Sequence, residues 1–320
     1  MKNKLKIATL IGGIMIISGL ILSIAGKNMG SEKYISGSSC FECSKQINDY
    51  SYIYKQDKSE INTEISKITI NAKTSDINIL KSDNEKIYVE YKIGSEKEKN
   101  PIEYELADKN LRIKETNIGR RENREIKKVS LLNIVKIINF NREVINKGYI
   151  NIYIPEYDKT EIELKNSVGN ITINDIHTGL IEISQKVGDV NLDFVKFKKA
   201  KISSVSGNIN IKNSDLINTS ISMNTGDIIA YNTILKNSDL ININGDIKVK
   251  RAEISENANI SVTNGDIEVN LYNPQVNLNI KSINGIINYK SNKAVKYYNI
   301  NNNSENVLNI KSTNGNIVVN

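Results

Sequence analysis

Eight glycines set the frame of this chain: Gly169, Gly188, Gly207, Gly226, Gly245, Gly265, Gly285 and Gly315, at successive spacings of 19, 19, 19, 19, 20, 20 and 30 residues. Each sits in the same short phrase: a small or Asn residue, Gly, mostly Asp or Asn, then alternating aliphatic side chains. A period of this size marks a solenoid, whose units cannot bury an apolar face alone and must stack. Two residues after each glycine stand Ile171, Val190, Ile209, Ile228, Ile247, Ile267, Ile287 and Ile317; four after stand Ile173, Leu192, Ile211, Ala230, Val249, Val269, Tyr289 and Val319. Most residues between them are polar. That alternation is a strand with one buried face and one wet face. Stacked coil on coil, the two columns become ladders in a core, and the expectation is an all-β β-solenoid of 19–20 residues per coil.

The glycine has a physical reason. A coil must turn between strands, and a residue at positive φ is cheapest as Gly. The adjacent Asp or Asn can cap backbone N–H groups with its side chain. Asn-Gly at 244–245, 264–265, 284–285 and 314–315 also suits tight hairpins, but the fixed period favours corners. A second apolar run in most coils, such as 216–223 and 240–243, leads us to expect two strands and two bends per coil. The 30-residue step from Gly285 to Gly315 implies an insertion near 292–306, and the Gly315 coil, last in sequence, is expected to leave an open edge able to pair with another chain. The aspartates at Asp227, Asp246 and Asp266 would stack about 4.8 Å apart; corner capping accounts for them better than calcium, which calls for denser acidic repeats. His177 reads as an exposed turn residue.

Upstream of the repeats the chain changes character. Lys2, Lys4 and Lys6 precede an uncharged run from Ile7 to Gly26, long enough to cross a bilayer at about 1.5 Å per residue. The basic side stays in the cytoplasm, so the remaining chain is placed outside. Residues 1–27 are therefore expected to be an N-terminal transmembrane helix, with a signal peptide cleaved after Ser23-Ile24-Ala25 as the rival. Residues 28–59 read as a polar juxtamembrane stalk, 60–165 as irregular first coils, and 166–320 as the regular repeats. Ser75-Asp76-Ile77-Asn78-Ile79 is a degenerate repeat phrase without its glycine.

Two features interrupt that plan. Cys40 and Cys43 form a single C-x-x-C in the stalk; with His177 the one histidine of the chain, zinc lacks ligands, and a local disulfide or free thiols is the reading. Arg120, Arg121, Arg124, Lys127 and Lys128 precede an apolar run from Val129 to Phe140 whose spacing suits an amphipathic helix. This stretch, 120–147, is either a cap on the solenoid flank or a contact with an anionic membrane surface. The net charge of +7 admits anionic lipid or cell-wall polymer as partners. Without a recognition motif it does not point to nucleic acid.

The anchor, the irregular β region, the strand ending at Ile154-Pro155 and the Gly-Asp/Asn-Ile phrases at Gly207, Gly226, Gly245 and Gly265 together resemble the bacterial putative-adhesin family. The resemblance covers about residues 60–320. It implies a single-stranded right-handed β-helix of unassigned activity and offers no catalytic residues to carry over. The leading expectation is a membrane-anchored, extracellular, non-catalytic binding module for an envelope or surface ligand, without cofactor or metal. An envelope-stress sensor acting through a membrane partner is the second reading. A polysaccharide-acting β-helix enzyme is the third, disfavoured because no motif gathers the acidic residues that glycoside chemistry needs.

Overall fold

The structure is a computed structural model that describes residues 52–95, 99–116, 148–155, 159–272, 275–290, 292–294 and 296–320. The expected anchor, Cys40 and Cys43, and the basic residues Arg120, Arg121, Arg124, Lys127 and Lys128 lie outside the described residues. Every helix or strand element within them is a strand, and no helix there is long and apolar enough to cross a membrane.

The chain begins with β1 (Tyr52–Ile61) and forms a first coil from β2 (Lys67–Ala72) and β3 (Asp76–Lys81). It turns back in β4 (Ile87–Ser95), makes a hairpin of β5 (Ile102–Ala107) and β6 (Asn110–Glu115), and continues at β7 (Tyr149–Ile154). The regular coils follow in β8 (Glu161–Val168), β9 (Ile171–Val187), β10 (Val190–Ser206), β11 (Ile209–Ile217), β12 (Thr219–Thr225), β13 (Ile228–Asn244), β14 (Ile247–Asn264) and β15 (Ile267–Leu271). The last segment holds β16 (Asn277–Asn284), β17 (Ile287–Tyr289), β18 (Asn292–Ala294), β19 (Tyr297–Ile300), β20 (Val307–Asn314) and β21 (Ile317–Val319).

Parallel pairing stacks the coils with corresponding residues in register. Val190 pairs with Ile171 on one side and Ile209 on the other, and Ile228 with Ile209 and Ile247. The residues two after each glycine are all fully buried, and of those four after only Tyr289 is not. The solenoid is thus an all-β strand-repeat stack whose core is the pair of aliphatic ladders. Each such side chain contributes about 1.5–3 kcal/mol on burial, and none could do so in an isolated coil.

The order of coils in the stack departs from the order in the chain at both ends. At the C-terminal end, β20 lies between β14 and β16, and β21 between β15 and β17. The Gly315 coil is therefore internal and the Gly285 coil is outermost. The expected open edge at Gly315 is overturned: the Gly265 N–H donates to the Asn314 carbonyl at 3.0 Å, and the Gly315 N–H to the Asn284 carbonyl at 3.3 Å. The insertion near 292–306 explains how. It supplies β19 and β18, which run antiparallel to β16 and β17 and close the exposed ladder. The N-terminal end repeats the device. The β2–β3 coil lies between β6–β7 and β8–β9, and antiparallel β5, β4 and β1 cover the outside.

Corners follow from backbone geometry. Seven of the repeat glycines have φ between +125° and +155°, a region closed to side chains. Their carbonyls also stack so closely that a Cβ at Gly226 would lie 1.6 Å from the Gly207 oxygen. The next residue ties coil to coil. The side-chain oxygen of Asn208 accepts from the Asp227 N–H at 3.0 Å, Asp227 from Asp246 at 2.8 Å, and Asp246 from Asp266 at 2.9 Å. Asp266 then accepts from Asn316 at 2.7 Å, and Asn316 from Ile286 at 3.0 Å. Ile286 breaks the Asp/Asn rule because no coil stacks beyond it to need an acceptor.

The coils also bend where no glycine stands. Asp175, Phe194, Asn213, Asn232 and Arg251 all have φ between +49° and +55° at 19-residue spacing. Asn218, Asn237 and Glu256 form a second such column, with φ between +47° and +61°. The coils that carry both columns, those beginning at Gly207, Gly226 and Gly245, are therefore three-sided, where two strands and two bends were expected. Asn and Asp tolerate this left-handed region through local hydrogen bonds, which is why they recur here.

The first coil lacks a corner glycine, and Glu115 compensates. This fully buried carboxylate accepts from the N–H groups of Lys73, Thr74 and Ser75 at 2.7, 3.0 and 3.1 Å, and from the Thr74 hydroxyl at 2.7 Å. Glu115→Ala strands three backbone donors in the interior, and we expect a loss of about 3 kcal/mol, read as a lower denaturant midpoint. A midpoint within error of wild type would show that the corner is held by something else.

Candidate functional site

The eight repeat glycines occupy corners of the stack, where their role is backbone geometry. The Asp residues beside them are committed to the same corners. The Asp266 N–H, with Lys248 adding to it, holds the Asp246 carboxyl below the usual carboxylate range. A lowered folded pKa means stability present above the unfolded value, near 3.8, and lost as pH falls through the folded one. Wild type should therefore exceed Asp246→Asn in Tm at pH 7, and that advantage should shrink as pH is taken below 3.8. An advantage independent of pH would rule this out.

Outward-facing rows on one side are similarly self-satisfied. Asn259 donates to Asp239, Asn309 to Asn259, Asn279 to Asn309 and Asn299 to Asn279, a run that again follows the stack and not the chain. On the sheet of β4 and β7, Glu90 accepts from Asn151, Tyr149 and Tyr153 at 3.0, 3.2 and 2.9 Å. The Asn151 amide is the main cause holding the Glu90 carboxyl below its usual range, and the Tyr153 and Tyr149 hydroxyls reinforce it. The Lys58 ammonium stands 4.9 and 4.2 Å from the Tyr88 and Tyr153 ring centres. A carboxylate so saturated is suited to holding strands together more than to moving a proton.

The narrow side of β10, which follows the corner at Phe194, differs. Here β10 presents Phe194, Lys196, Lys198 and Lys199 to solvent while Val195 and Phe197 point into the core. Register sets His177 and Asp215 on either side of Lys196. Together with Asp175, Phe194 and Asn213 they line an open hollow of about 310 Å³. Its two carboxylates are neutralised, Asp175 by Lys81 at 3.1 Å and Asp215 by Lys196 at 2.9 Å. Lys198, Lys199 and Lys201 make no ion pair among the described residues. Leu180 and Ile217, half-buried, flank them. The result is a basic face with apolar side chains interleaved.

The repeat logic passed over this face, because a reader following the glycines treats 194–201 as one more half-coil. The signal was present in Phe194-Val195-Lys196-Phe197-Lys198-Lys199-Ala200-Lys201, four lysines in six positions beside an aromatic residue at a corner. Among the described residues, no three His, Cys, Asp or Glu side chains converge on one point.

The family model described as Toastrack DUF4097 matches residues 65–320. Solved structures match the chain at low identity. A putative cell adhesion protein from Clostridium sporogenes is 14% identical, with 83% of this chain and 99% of that chain covered and a TM-score of 0.23. A putative adhesin from Bacteroides fragilis is 14% identical over 84% of this chain and 97% of its own, with a TM-score of 0.35. A putative lipid binding protein from Parabacteroides distasonis is 16% identical over 82% and 96%, with a TM-score of 0.39. No curated protein matches the chain.

Proposed function

We propose that this protein, which belongs to the Toastrack DUF4097 family, is a non-catalytic binding module held outside the cell by an N-terminal membrane anchor. Its stacked coils present a ligand-binding surface to a component of the cell envelope or of another surface. One observation carries the reading. The carboxylates of Asp227, Asp246 and Glu90 and the Asn151 amide are engaged in corner and strand ladders, whereas uncommitted charge and exposed apolar surface coincide on the narrow side of β10. Such a face is built to contact and not to transform.

The test is retention of residues 51–320 on purified cell-wall fractions and on lipid vesicles at low and high salt. These residues contain the entire described core and the strands that close both ends. Retention at low salt on either material, released at high salt, is expected for a basic face. No retention on any envelope fraction would sink the reading.

A further inference from the structure

Resting on that reading of the protein as a surface-binding module, we infer that the face from Phe194 to Lys201 docks on an anionic phospholipid bilayer, with Phe194 as the apolar wedge and Lys198, Lys199 and Lys201 as headgroup contacts. The argument starts from a residue that local rules do not explain. Phe194 holds φ +52° in a column whose other members are Asp175, Asn213, Asn232 and the long, flexible Arg251, and it is the one aromatic residue there. The Asp and Asn side chains suit the left-handed region; a phenyl ring does not, and it is uncommon there. Nor does the core account for it, since Phe194 is 54% exposed while Val195 and Phe197 are buried. A side chain kept against both backbone preference and burial marks function.

Its surroundings say which ligand. The carboxylates nearest the hollow are each matched by a lysine, so the uncommitted charge of the face is that of Lys198 and Lys199, joined by Lys201, which register sets beside the exposed Glu182. Register places Lys198 level with Gly179, between the Phe197–Thr178 and Lys199–Leu180 pairs. The missing side chain there leaves the lysine stem room to lie down. A soluble polyanion would be met by the ammonium groups alone and would leave the ring in water. A bilayer uses every part: the ring enters the headgroup–acyl boundary, the lysine stems lie along it with Leu180 and Ile217, and the ammonium groups stay among the phosphates.

The experiment is flotation of residues 51–320 with phosphatidylcholine vesicles, with and without phosphatidylglycerol, and in parallel with soluble polyphosphate. Binding is expected to require phosphatidylglycerol and to weaken with salt. It should fall about fivefold for each of Lys198, Lys199 and Lys201 replaced by Gln, and about 100-fold for all three. Phe194→Asn should weaken vesicle binding about tenfold without lowering Tm, because Asn suits that corner. A Phe194→Asn protein that binds vesicles as wild type does, whatever its Tm, overturns the inference. So does vesicle binding that survives these substitutions and is lost on replacing Arg120, Arg121, Arg124, Lys127 and Lys128. Retention by polyphosphate or wall fractions but not by vesicles overturns the bilayer as occupant and leaves the binding module standing. Retention by none of them removes both.

Discussion

Removing residues 307–320 is expected to unfold the whole C-terminal end of the stack and not to shorten it by one coil. In a solenoid whose chain and stack run in the same order, losing the last coil breaks one nearest-neighbour interface. Here β20 and β21 each pair on two sides, so the deletion breaks two. It also withdraws the buried side chains of Leu308, Ile310, Ile317 and Val319, each contributing about 1.5–3 kcal/mol. The outer coil of β16 and β17, with β18 and β19 against it, loses its attachment to β14 and β15. The summed loss is comparable with the entire stability of an ordinary domain. Amide exchange is the measurement: residues 277–300 should lose their protection in the truncated protein. Retained protection there would mean that β16 can pair directly with β14, and the double-sided arrangement would not be required.

The second large effect is expected at a single atom pair. Gly226→Ala places a Cβ 1.6 Å from the Gly207 carbonyl oxygen, on a residue with φ +129°. Neither conflict can relax locally. The oxygen belongs to backbone fixed by ladders on both sides, and a rotation of φ would break the bond from the Gly226 N–H to the Asn244 carbonyl. A cost above about 4 kcal/mol follows, which at about 2–4 °C per kcal/mol lowers Tm by about 10 °C or more. Gly179→Ala is the matched control, since its Cβ would meet nothing nearer than the Lys159 carbonyl at 3.8 Å. It should be neutral or slightly stabilising. Equal melting of the two variants would refute the close-approach account of the repeat glycines.

The glycine period and the aliphatic columns made the coil legible from sequence, because each is a strict local demand: positive φ at one site, burial at two others. The Asp/Asn step was legible as a cap, and Ser75-Asp76-Ile77 as a coil without its glycine. The threading of the ends was not read, although it left traces. Ile286 at a position that otherwise carries an acceptor declares an outermost coil, and the residues 292–306 supply the strands to cover it. The three-sided coil was partly written in Asn213, Asn218, Asn232 and Asn237, whose left-handed backbones suit asparagine. Phe194, Arg251 and Glu256 occupy the same columns without that signature, so no propensity could reveal them. The candidate surface was legible only as charge. Which lysines remain uncommitted depends on neighbours 19 residues away on either side, and periodicity alone does not pair them.

The inward placement of the first and last coils also determines how the fold bears load. A tension applied beyond β21 cannot lift an outermost strand and break its hydrogen bonds one after another. It must slide β21 and β20 lengthwise from between neighbours, so that the bonds of four ladders resist together. At the other end, tension would peel β1 from β4 but then meet β2, gripped between β6 and β8. Resistance to pulling is set by the barrier to leaving the native state, and a coil locked from both sides raises that barrier without adding a residue to the core. Tethering the chain through its inner coils turns an ordinary parallel ladder into a shear joint.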